Sequence, residues 1–371
     1  MKVSIKKISE VSGFSPATIS NALNHKKGVN KETSENIFKI AKELGYVMES
    51  KISKIKFVIY KKNGSVVNDS PFFVVMLEGV EKECSDQGYE MVVCNLDSRS
   101  PDYEIQLRRI LEDTQTAVIL LGTELTDSDV RPFQKAKCPM VCIDYSNIHL
   151  YFDEVLINNF DSVQVAVEHL VRKGHTQIGY LKGSFRIKPF CSRESGFERA
   201  MKRHGLPIQK SFVFLLSPDM EGAHKDMAGY LEKGAKVPTA FFADNDMIAL
   251  GAMKALQEHG YRIPQDVSII GFDDLPFCEI SSPRLTTIRV SKQDIGKFAV
   301  RRVIELIRNP SNTKLKIHVG TEFVERDSVR DLRADGKEEG KTYEKKRIDM
   351  RLDDGAGADH SNRLCEGGKN R

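Results

Sequence analysis

The fold is decided near the amino end by residues 4–46, SIKKISEVSGFSPATISNALNHKKGVNKETSENIFKIAKELGY. Apolar residues recur there at helical spacing in three short blocks. Ser4 and Ser15 are suitable N-caps for the first two helices, and Gly13 supplies the left-handed residue that ends the first helix. Pro16 opens the second helix, where its missing N–H is no loss. A helix, a tight turn and a second helix with small polar side chains predict a helix-turn-helix.

The same end of the chain carries its basic excess. Residues 1–62 contain 13 Lys, no Arg and 5 Asp or Glu, which leaves a net charge of +8, whereas the whole chain carries only +4. Such a cluster favours contact with phosphates and a salt-dependent affinity for nucleic acid. A Lys-rich helical module that binds another protein is the alternative interpretation, and the charge favours DNA over it.

Three segments of this unit, Ile8–Asn24, Val29–Thr33 and Glu43–Tyr46, resemble the headpiece of the lactose/galactose repressor family of bacterial transcription regulators. Later motifs extend the resemblance to about residue 326. It implies a set of DNA-contacting residues on and beside the second helix, namely Ser15, Pro16, Ala17, Thr18, Ser20, Asn21 and Asn24.

Within that set the resemblance implies two roles. Pro16, Ala17 and Asn21 would read base edges, whereas Thr18 and Ser20 would contact phosphates or position the helix. Many relatives carry Arg at the position of Asn21. Because Arg prefers guanine and Asn pairs with adenine, we expect the operator to differ at that base pair.

Length and composition narrow the class of protein. A chain of 371 residues suits two or three domains, and 40% hydrophobic with 29% charged residues is ordinary for a globular protein. No apolar run is long enough to cross a membrane, and no signal peptide is present, so we expect a cytoplasmic protein without a membrane partner. The seven cysteines are scattered without a Cys-x-x-Cys pair, which predicts reduced thiols and no metal site.

Helix-like and strand-like segments alternate from Phe57 onward. Apolar strands that are each followed by a helix indicate a parallel sheet covered on both faces. The pattern restarts near Asp161, which predicts two similar units with a ligand cleft between them. The expected fold is an N-terminal all-α helix-turn-helix headpiece followed by an α/β core of two doubly wound parallel-sheet subdomains. The resemblance implies that this core is periplasmic-binding-protein-like and that the chain crosses between its subdomains three times.

The same patterns predict the domain boundaries. The headpiece spans 1–46, a short linker or hinge spans 47–56, an effector-binding and dimerisation core spans 57–326, and a tail spans 327–371. Subdomain one takes about 57–158 plus 291–318, and subdomain two takes about 159–288. The tail is charged and poor in apolar residues, so we expect it to be disordered.

The linker departs from the family pattern. Relatives carry a hinge helix with an Ala-Arg-x-Leu pattern, whose leucines enter the minor groove in the dimer. Residues 47–56 lack that pattern. Ile52 is the best candidate for such a wedge and Met48 the second, and a flexible tether is the favoured alternative.

Two strand ends in the first unit carry candidate ligand residues. Phe72 and Phe73 open the helix after the first strand, where aromatic rings can stack on a sugar or a base. Asp144 and Tyr145 end a buried strand, which places a carboxylate at the rim of the sheet. Plain core packing of the rings and a turn-capping role for the carboxylate are the alternatives.

The second unit contributes three more candidates. The resemblance implies that Arg193 grips the effector, and an Arg side chain offers a rigid fork of donors to neighbouring hydroxyls. It also implies that Asn245 and Asp273, which follow buried strands, form hydrogen bonds with ligand hydroxyls. The effector-binding set is therefore Phe72, Phe73, Asp144, Tyr145, Arg193, Asn245 and Asp273.

These features predict a sequence-specific transcriptional repressor that binds double-stranded operator DNA as a homodimer under the control of a small effector. A sugar or sugar phosphate is the expected effector, and a purine or nucleoside is the alternative. A catalytic α/β domain fused to a DNA-binding head is the alternative of a different class. No Gly-x-Gly-x-x-Gly, Gly-x-Ser-x-Gly or His-Glu-x-x-His motif occurs at a suitable place, so we expect no catalytic residues and no cofactor.

Overall fold

The amino-terminal helices form a small domain around a hydrophobic cluster of its own. The structure, a computed structural model, describes residues 4–23, 28–44, 52–68, 70–149 and 151–334. Three helices fall in the first two ranges: α1 (Ile5–Ser12), α2 (Pro16–Leu23) and α3 (Lys31–Glu43). Ile8, Ile19 and Ile37 are fully buried where the three helices meet.

The predicted helix ends are present in this domain. The Ser4 side chain accepts a hydrogen bond from the Lys7 N–H, and Gly13 takes the left-handed conformation with φ of 73°. The Ser15 hydroxyl accepts a hydrogen bond from the Thr18 N–H at 3.1 Å, and Asn30 caps α3. Short polar caps therefore define each helix of the helix-turn-helix.

Alternating strands and helices follow. The strands are β1 (Lys54–Lys61), β2 (Glu90–Asp97), β3 (Thr116–Leu121), β4 (Met140–Ile143), β5 (Asp153–Ile157), β6 (Ile178–Gly183), β7 (Val213–Leu216), β8 (Ala240–Ala243), β9 (Ser268–Ile270), β10 (Thr287–Val290), β11 (Lys316–Val319) and β12 (Thr321–Val324). The helices are α4 (Pro71–Asp86), α5 (Tyr103–Glu112), α6 (Asn159–Arg172), α7 (Lys188–Arg203), α8 (Met220–Glu232), α9 (Asp246–Glu258), α10 (Phe277–Ile280) and α11 (Lys292–Arg308).

These strands form two parallel sheets and one short antiparallel pair. The first sheet has the order β11-β5-β4-β3-β1-β2, the second has the order β7-β6-β8-β9, and β10 pairs with β12. Every residue of β3 is buried, which explains why its sequence is apolar without alternation. The chain passes between the two subdomains after β5, after β10 and after β11. This architecture confirms the predicted fold class.

Two of the expected boundaries differ from the structure. β1 begins at Lys54, so the last three residues of the expected linker 47–56 belong to the first sheet. Residues 327–334 pack on the second sheet, because the Ser328 hydroxyl donates to the Ile269 carbonyl at 2.6 Å and the Ile269 N–H donates to the Ser328 carbonyl. The prediction of disorder from residue 327 is therefore wrong for these eight residues, and residues 335–371 lie outside the described residues.

Helices α4 and α11 pack closely on one face of the first sheet. A Cβ atom added to Gly79 would lie 2.3 Å from the Gln293 carbonyl oxygen, and one added to Gly296 would lie 2.6 Å from the Met76 carbonyl oxygen. Both contacts are shorter than any real Cβ contact, so the two glycines set the distance between the helices.

We predict that Gly79→Ala destabilises the core because α4 and α11 must separate to admit the methyl group. Overpacking of this kind lowers the free energy of unfolding by about 1–3 kcal/mol. Gly229→Ala in α8 is the matched control, because nothing lies within 4 Å of its Cβ position. The control should stabilise the protein by about 0.5–1 kcal/mol through helix propensity. Urea unfolding measures both changes, and equal stability of Gly79→Ala and wild type would contradict the close packing.

Candidate ligand cleft and nucleic-acid interface

A small cavity between the two subdomains brings together six of the seven predicted effector residues: Phe72, Phe73, Asp144, Arg193, Asn245 and Asp273. Its volume is about 30 Å³. A space of this size holds water but is too small for a sugar ring. The cleft is therefore closed in this structure, and a ligand must separate its walls to enter.

Arg193 lies at the centre of the cleft wall on the side of the second subdomain. Its Nε donates to the Asn159 side-chain oxygen at 2.8 Å, and its Nη1 donates to the Asp244 carbonyl. The guanidinium carbon lies 3.6 Å from the centre of the Phe272 ring, and Nη2 lies 3.5 Å from an Asp273 carboxylate oxygen. These contacts fix the plane of the fork, and the long contact to Asp273 is the one that a ligand can most readily replace.

Asp144 supplies an acceptor from the first subdomain. It follows β4 in a left-handed conformation with φ of 64°, and its Oδ2 accepts a hydrogen bond from the Thr123 hydroxyl at 2.8 Å. Its Oδ1 is buried and has no hydrogen-bond partner within the described ranges. Burial raises the pKa of this carboxyl to about 7. A buried acceptor of this kind can receive a hydrogen bond from a ligand hydroxyl.

Asp273 supplies the corresponding acceptor from the second subdomain. Its φ of 117° is rare for a residue with a side chain, and Asp274 follows at 51°. The Lys292 ammonium group donates to the carbonyls of both residues and so holds this turn. Burial raises the pKa of Asp273, and the Arg193 charge opposes that rise.

The motif Asp244-Asn245-Asp246 divides its roles among its members. The Asn245 oxygen caps α9 by accepting from the Ile248 N–H at 2.9 Å, and the residue still lines the cavity. Asp244 accepts from the Gly183 N–H at 2.8 Å, and Asp246 accepts from the Leu275 N–H at 2.8 Å. The two carboxylates therefore hold the loops that surround the cavity.

Tyr145 is the one predicted effector residue that does not line this cavity. Its ring is buried in the cluster on the opposite face of the first sheet, and its hydroxyl donates to Asp127 at 2.7 Å. Asp144 and Tyr145 both lie beyond β4, and the left-handed backbone of Asp144 ends the alternation of the strand. The structure therefore places Tyr145 outside the cavity that the other six predicted residues line.

Sequence reasoning missed several residues of the cleft. Thr123, Asn159 and Phe272 touch the site through Asp144 or Arg193. Phe272 stands directly before Asp273, so the motif already contained it. Asn159 lies at the start of α6, and nothing in its local sequence indicates a contact with α7.

The predicted DNA-contacting residues lie along α2 and its cap. Ser15, Pro16 and Ala17 are exposed, whereas Ser20 and Asn21 are half-buried. The hydroxyls of Ser15 and half-buried Thr18 lie 2.8 Å apart, and their mutual hydrogen bond stabilises the start of α2. Asn24 lies outside the described residues. Ile52 is partly buried against the core cluster, which does not support its expected role as a minor-groove wedge.

Across the part of the chain that the structure describes, no helix is long and apolar enough to cross a membrane. The same residues contain no group of three or more His, Cys, Asp or Glu side chains with the geometry of a metal site.

Two family models match the chain. Residues 4–49 match the model described as bacterial regulatory proteins, lacI family, and residues 167–329 match a periplasmic binding protein-like domain. The HTH-type transcriptional repressor PurR of Actinobacillus pleuropneumoniae serotype 3 (strain JL03) is 30% identical over 332 residues, which cover 88% of this chain and 98% of that protein. PurR of Vibrio vulnificus (strain CMCP6) is 30% identical over 335 residues, which cover 88% of this chain and 99% of that protein.

Solved structures share the fold over most of the chain. A complex of the transcriptional regulator CelR with cellobiose aligns with a TM-score of 0.68 and 22% identity, over 88% of this chain and all of that chain. The lac repressor dimer bound to operator and the anti-inducer ONPF aligns with a TM-score of 0.64 and 21% identity, over 89% of this chain and all of that chain.

The raised pKa of Asp144 makes stability depend on pH in a defined window. The unfolded carboxyl titrates near its ordinary value of 3.8 and the folded one near about 7. Between these values the unfolded state loses its proton first, so wild type loses stability as the pH rises. Asp144→Asn removes this loss, and Asn tolerates the left-handed backbone. We expect the stability advantage of the variant to grow by roughly 1–4 kcal/mol from pH 4 to pH 7 and then to level off.

Asp266→Asn provides the control in the same unfolding series. The Asp266 carboxyl is exposed, and the hydrogen bonds that it accepts from Arg262 lower its pKa to about 2. The ionised Asp266 carboxyl contributes its full stabilisation at any pH above its pKa in the unfolded chain. The difference in free energy of unfolding between Asp266→Asn and wild type should therefore be constant from pH 5 to pH 8. If the free energies of unfolding of wild type and Asp144→Asn changed in parallel from pH 4 to pH 8, the assigned burial of Asp144 would be refuted.

Proposed function

The chain belongs to the lacI family of bacterial regulatory proteins, and on that basis we propose that ligand binding in its cleft sets the affinity of its helix-turn-helix for an operator. As a member of this family it is a DNA-binding transcriptional repressor, as the sequence predicts. The observation that carries ligand control is the cavity in which Asp144 of one subdomain faces Arg193 and Asp273 of the other. A ligand there contacts both subdomains and favours one arrangement of them.

The recognition helix is α2. Pro16, Ala17 and Asn21 contact base edges, and Asn21 pairs with an adenine. Ser15, Thr18 and Ser20 contact phosphates or hold the helix, and Asn24 extends the set. The exposure of Ser15, Pro16 and Ala17 supports this assignment.

The repressor acts as a homodimer on a pseudo-palindromic operator. A dimer supplies two recognition helices about one DNA turn apart. An apolar surface on the first subdomain supports self-association, because the Val74 side chain on α4 is 60% exposed and the Val93 side chain on the edge strand β2 is 43% exposed. A cavity of about 600 Å³ beside Val74 is also lined by Phe57 and Leu77. Exposed apolar patches of this kind are typical of protein interfaces.

The effector is a small polyhydroxylated molecule, and the chemistry of the groups that line the cleft favours a sugar. Asp144 and Asp273 accept hydrogen bonds from hydroxyls, and Arg193 donates to them. The rings of Phe72 and Phe73 offer apolar faces to the C–H groups of a sugar. Two carboxylates against one guanidinium do not favour a negatively charged ligand.

A purine or nucleoside is the second candidate for the effector. The similarity to PurR repressors over 88% of the chain favours it. Phe72 and Phe73 can stack on a base, although Tyr145 lies outside the cavity and adds no second platform.

We predict that Asn21→Ala changes base preference and not only affinity. Loss of the bidentate contact should remove about 1–3 kcal/mol of discrimination at one base pair in each half-site. Lys6→Ala, which removes an exposed cation from α1, is the comparison and should weaken binding about equally for all sequences. Competitive gel shifts with operators substituted one base pair at a time measure both effects. A strictly monomeric protein without sequence preference would overturn the proposed mode of binding.

A further inference from the structure

A separate cavity lies at the edge of the first sheet opposite the cleft. It has a volume of about 500 Å³. Met140 begins β4 and Phe152 directly precedes β5, so this cavity lies at the amino ends of the strands. Asp144 of the cleft follows β4, which spans roughly 13 Å at about 3.3 Å per residue. The walls of this edge cavity come from the segments 133–140, 151–152 and 310–314 and from Leu306 of α11.

A buried ion network holds two of these walls in place. Asp153 is fully buried and accepts hydrogen bonds from the Arg302 Nε at 2.7 Å and from the Leu315 N–H at 3.1 Å. The Lys314 ammonium group lies 3.2 Å from the other oxygen of the same carboxylate, and Arg302 also donates to the Thr313 carbonyl. One carboxylate therefore joins β5, α11 and the loop before β11. Walls that are fixed before a ligand arrives lower the cost of ordering on binding.

The interior of the edge cavity is apolar. Phe133, Met140, Phe152 and Leu306 line it, and each of these side chains is at most 8% exposed. Tyr151 also lines it but is 77% exposed, so its ring stands at the mouth. A cavity of this volume with apolar walls is typical of small-molecule sites, and an exposed aromatic ring beside it can cover a ligand.

The charge of the lining is positive. Within the described ranges, Lys137 and Lys314 line the edge cavity, and no Asp or Glu does. Asp153 compensates Lys314, whereas the Lys137 ammonium group has no carboxylate partner among those residues. The carboxyl end of α11 carries a partial negative charge, which Arg308 in its last turn opposes. One uncompensated cation beside an apolar cavity favours a ligand with a single negative charge.

We propose that the edge cavity is a second binding site, which takes a small carboxylic acid with an apolar body. The body lies against Phe133, Met140 and Leu306 beneath the Tyr151 ring, and the carboxylate accepts a hydrogen bond from Lys137. This chemistry is the reverse of that in the cleft, where buried carboxylates accept hydrogen bonds from hydroxyl groups. The site is therefore independent of the proposed control by a cleft ligand.

Titration calorimetry on the full chain with three ligands of one shape tests the ligand class. The ligands are 4-phenylbutyrate, its neutral amide 4-phenylbutanamide and the cation 4-phenylbutylamine. We expect the carboxylate to bind about tenfold more tightly than the amine, because Lys137 attracts one and repels the other. The amide should bind with intermediate affinity. Equal affinities for the three ligands would overturn the assigned class, and no binding of any of them at millimolar concentration would overturn the site.

A change of charge tests the role of Lys137. In Lys137→Gln the preference for 4-phenylbutyrate over 4-phenylbutylamine should fall to about one, because the uncompensated cation is gone. Lys135→Gln is the matched control, because Lys135 is an exposed cation two residues away that does not line the cavity. The control should keep the wild-type preference. An unchanged preference in Lys137→Gln would overturn the assignment of the carboxylate to this residue.

A bulky side chain tests where the ligand binds. Ser311→Phe fills the cavity from its rim and should weaken 4-phenylbutyrate binding at least about tenfold. Asn312→Phe adds the same ring at an exposed position outside the lining and should not. Arg193→Lys alters the cleft and should also leave this affinity unchanged. Urea unfolding verifies that each variant is folded. Loss of binding in Arg193→Lys with full binding in Ser311→Phe would place the ligand in the cleft and overturn the proposal.

Discussion

The buried guanidinium of Arg193 is the interaction on which the rest of the cleft depends. An ion of this kind is stable inside a protein only when its hydrogen-bonding groups have partners. The partners are the Asn159 side chain, the Asp244 carbonyl and the Asp273 carboxylate, and the Phe272 ring covers one face. The arginine thereby connects the start of α6, the end of β8 and the turn after β9. One side chain sets the relative positions of three loops that form a wall of the cleft.

The carboxylates around this arginine determine what the cleft can accept. Asp144 and Asp273 are both buried, and burial raises the pKa of each. A neutral ligand with hydroxyl groups can donate to these oxygens without adding charge, whereas an anion would increase the repulsion already present. A buried carboxylate also organises the loop before α4: Glu124 accepts hydrogen bonds from the backbone N–H groups of Lys62, Asn63, Gly64, Val66 and Val67.

The sequence predicted the parts of the structure that local chemistry encodes. The helix-turn-helix follows from caps and helical spacing, and the two parallel sheets follow from apolar strands that alternate with helices. Polar residues after buried strands drew attention to Asp144 and to the motifs that contain Asn245 and Asp273, because the carboxyl ends of parallel strands meet at one edge. The ligand roles of Asn245, Asp273 and Arg193 were implied by the resemblance and not by spacing.

The errors arise where a long-range contact decides the outcome. Tyr145 was assigned to the cleft together with Asp144, but its ring lies in the cluster on the other face of the first sheet, where its hydroxyl donates to Asp127. Residues 327–334 lack an apolar pattern, and their order comes from the hydrogen bonds of Ser328 to β9, which no local pattern reveals. Glu124 stands in an ordinary turn of the sequence, and its five donors lie about 60 residues earlier in the chain.

The central claim is that occupancy of the cleft and affinity for the operator are coupled, and a linkage measurement tests it most directly. The operator Kd is measured by fluorescence anisotropy with and without saturating ligand, and the ligand Kd is measured by calorimetry with and without operator. Coupling requires that ligand change the operator Kd by the same factor by which operator changes the ligand Kd. We expect this factor to be about 5–150. In Arg193→Lys, which lacks the fork that holds the cleft wall, the factor should approach one while operator binding persists. Equal operator affinity of the wild-type protein with and without bound ligand would contradict the claim.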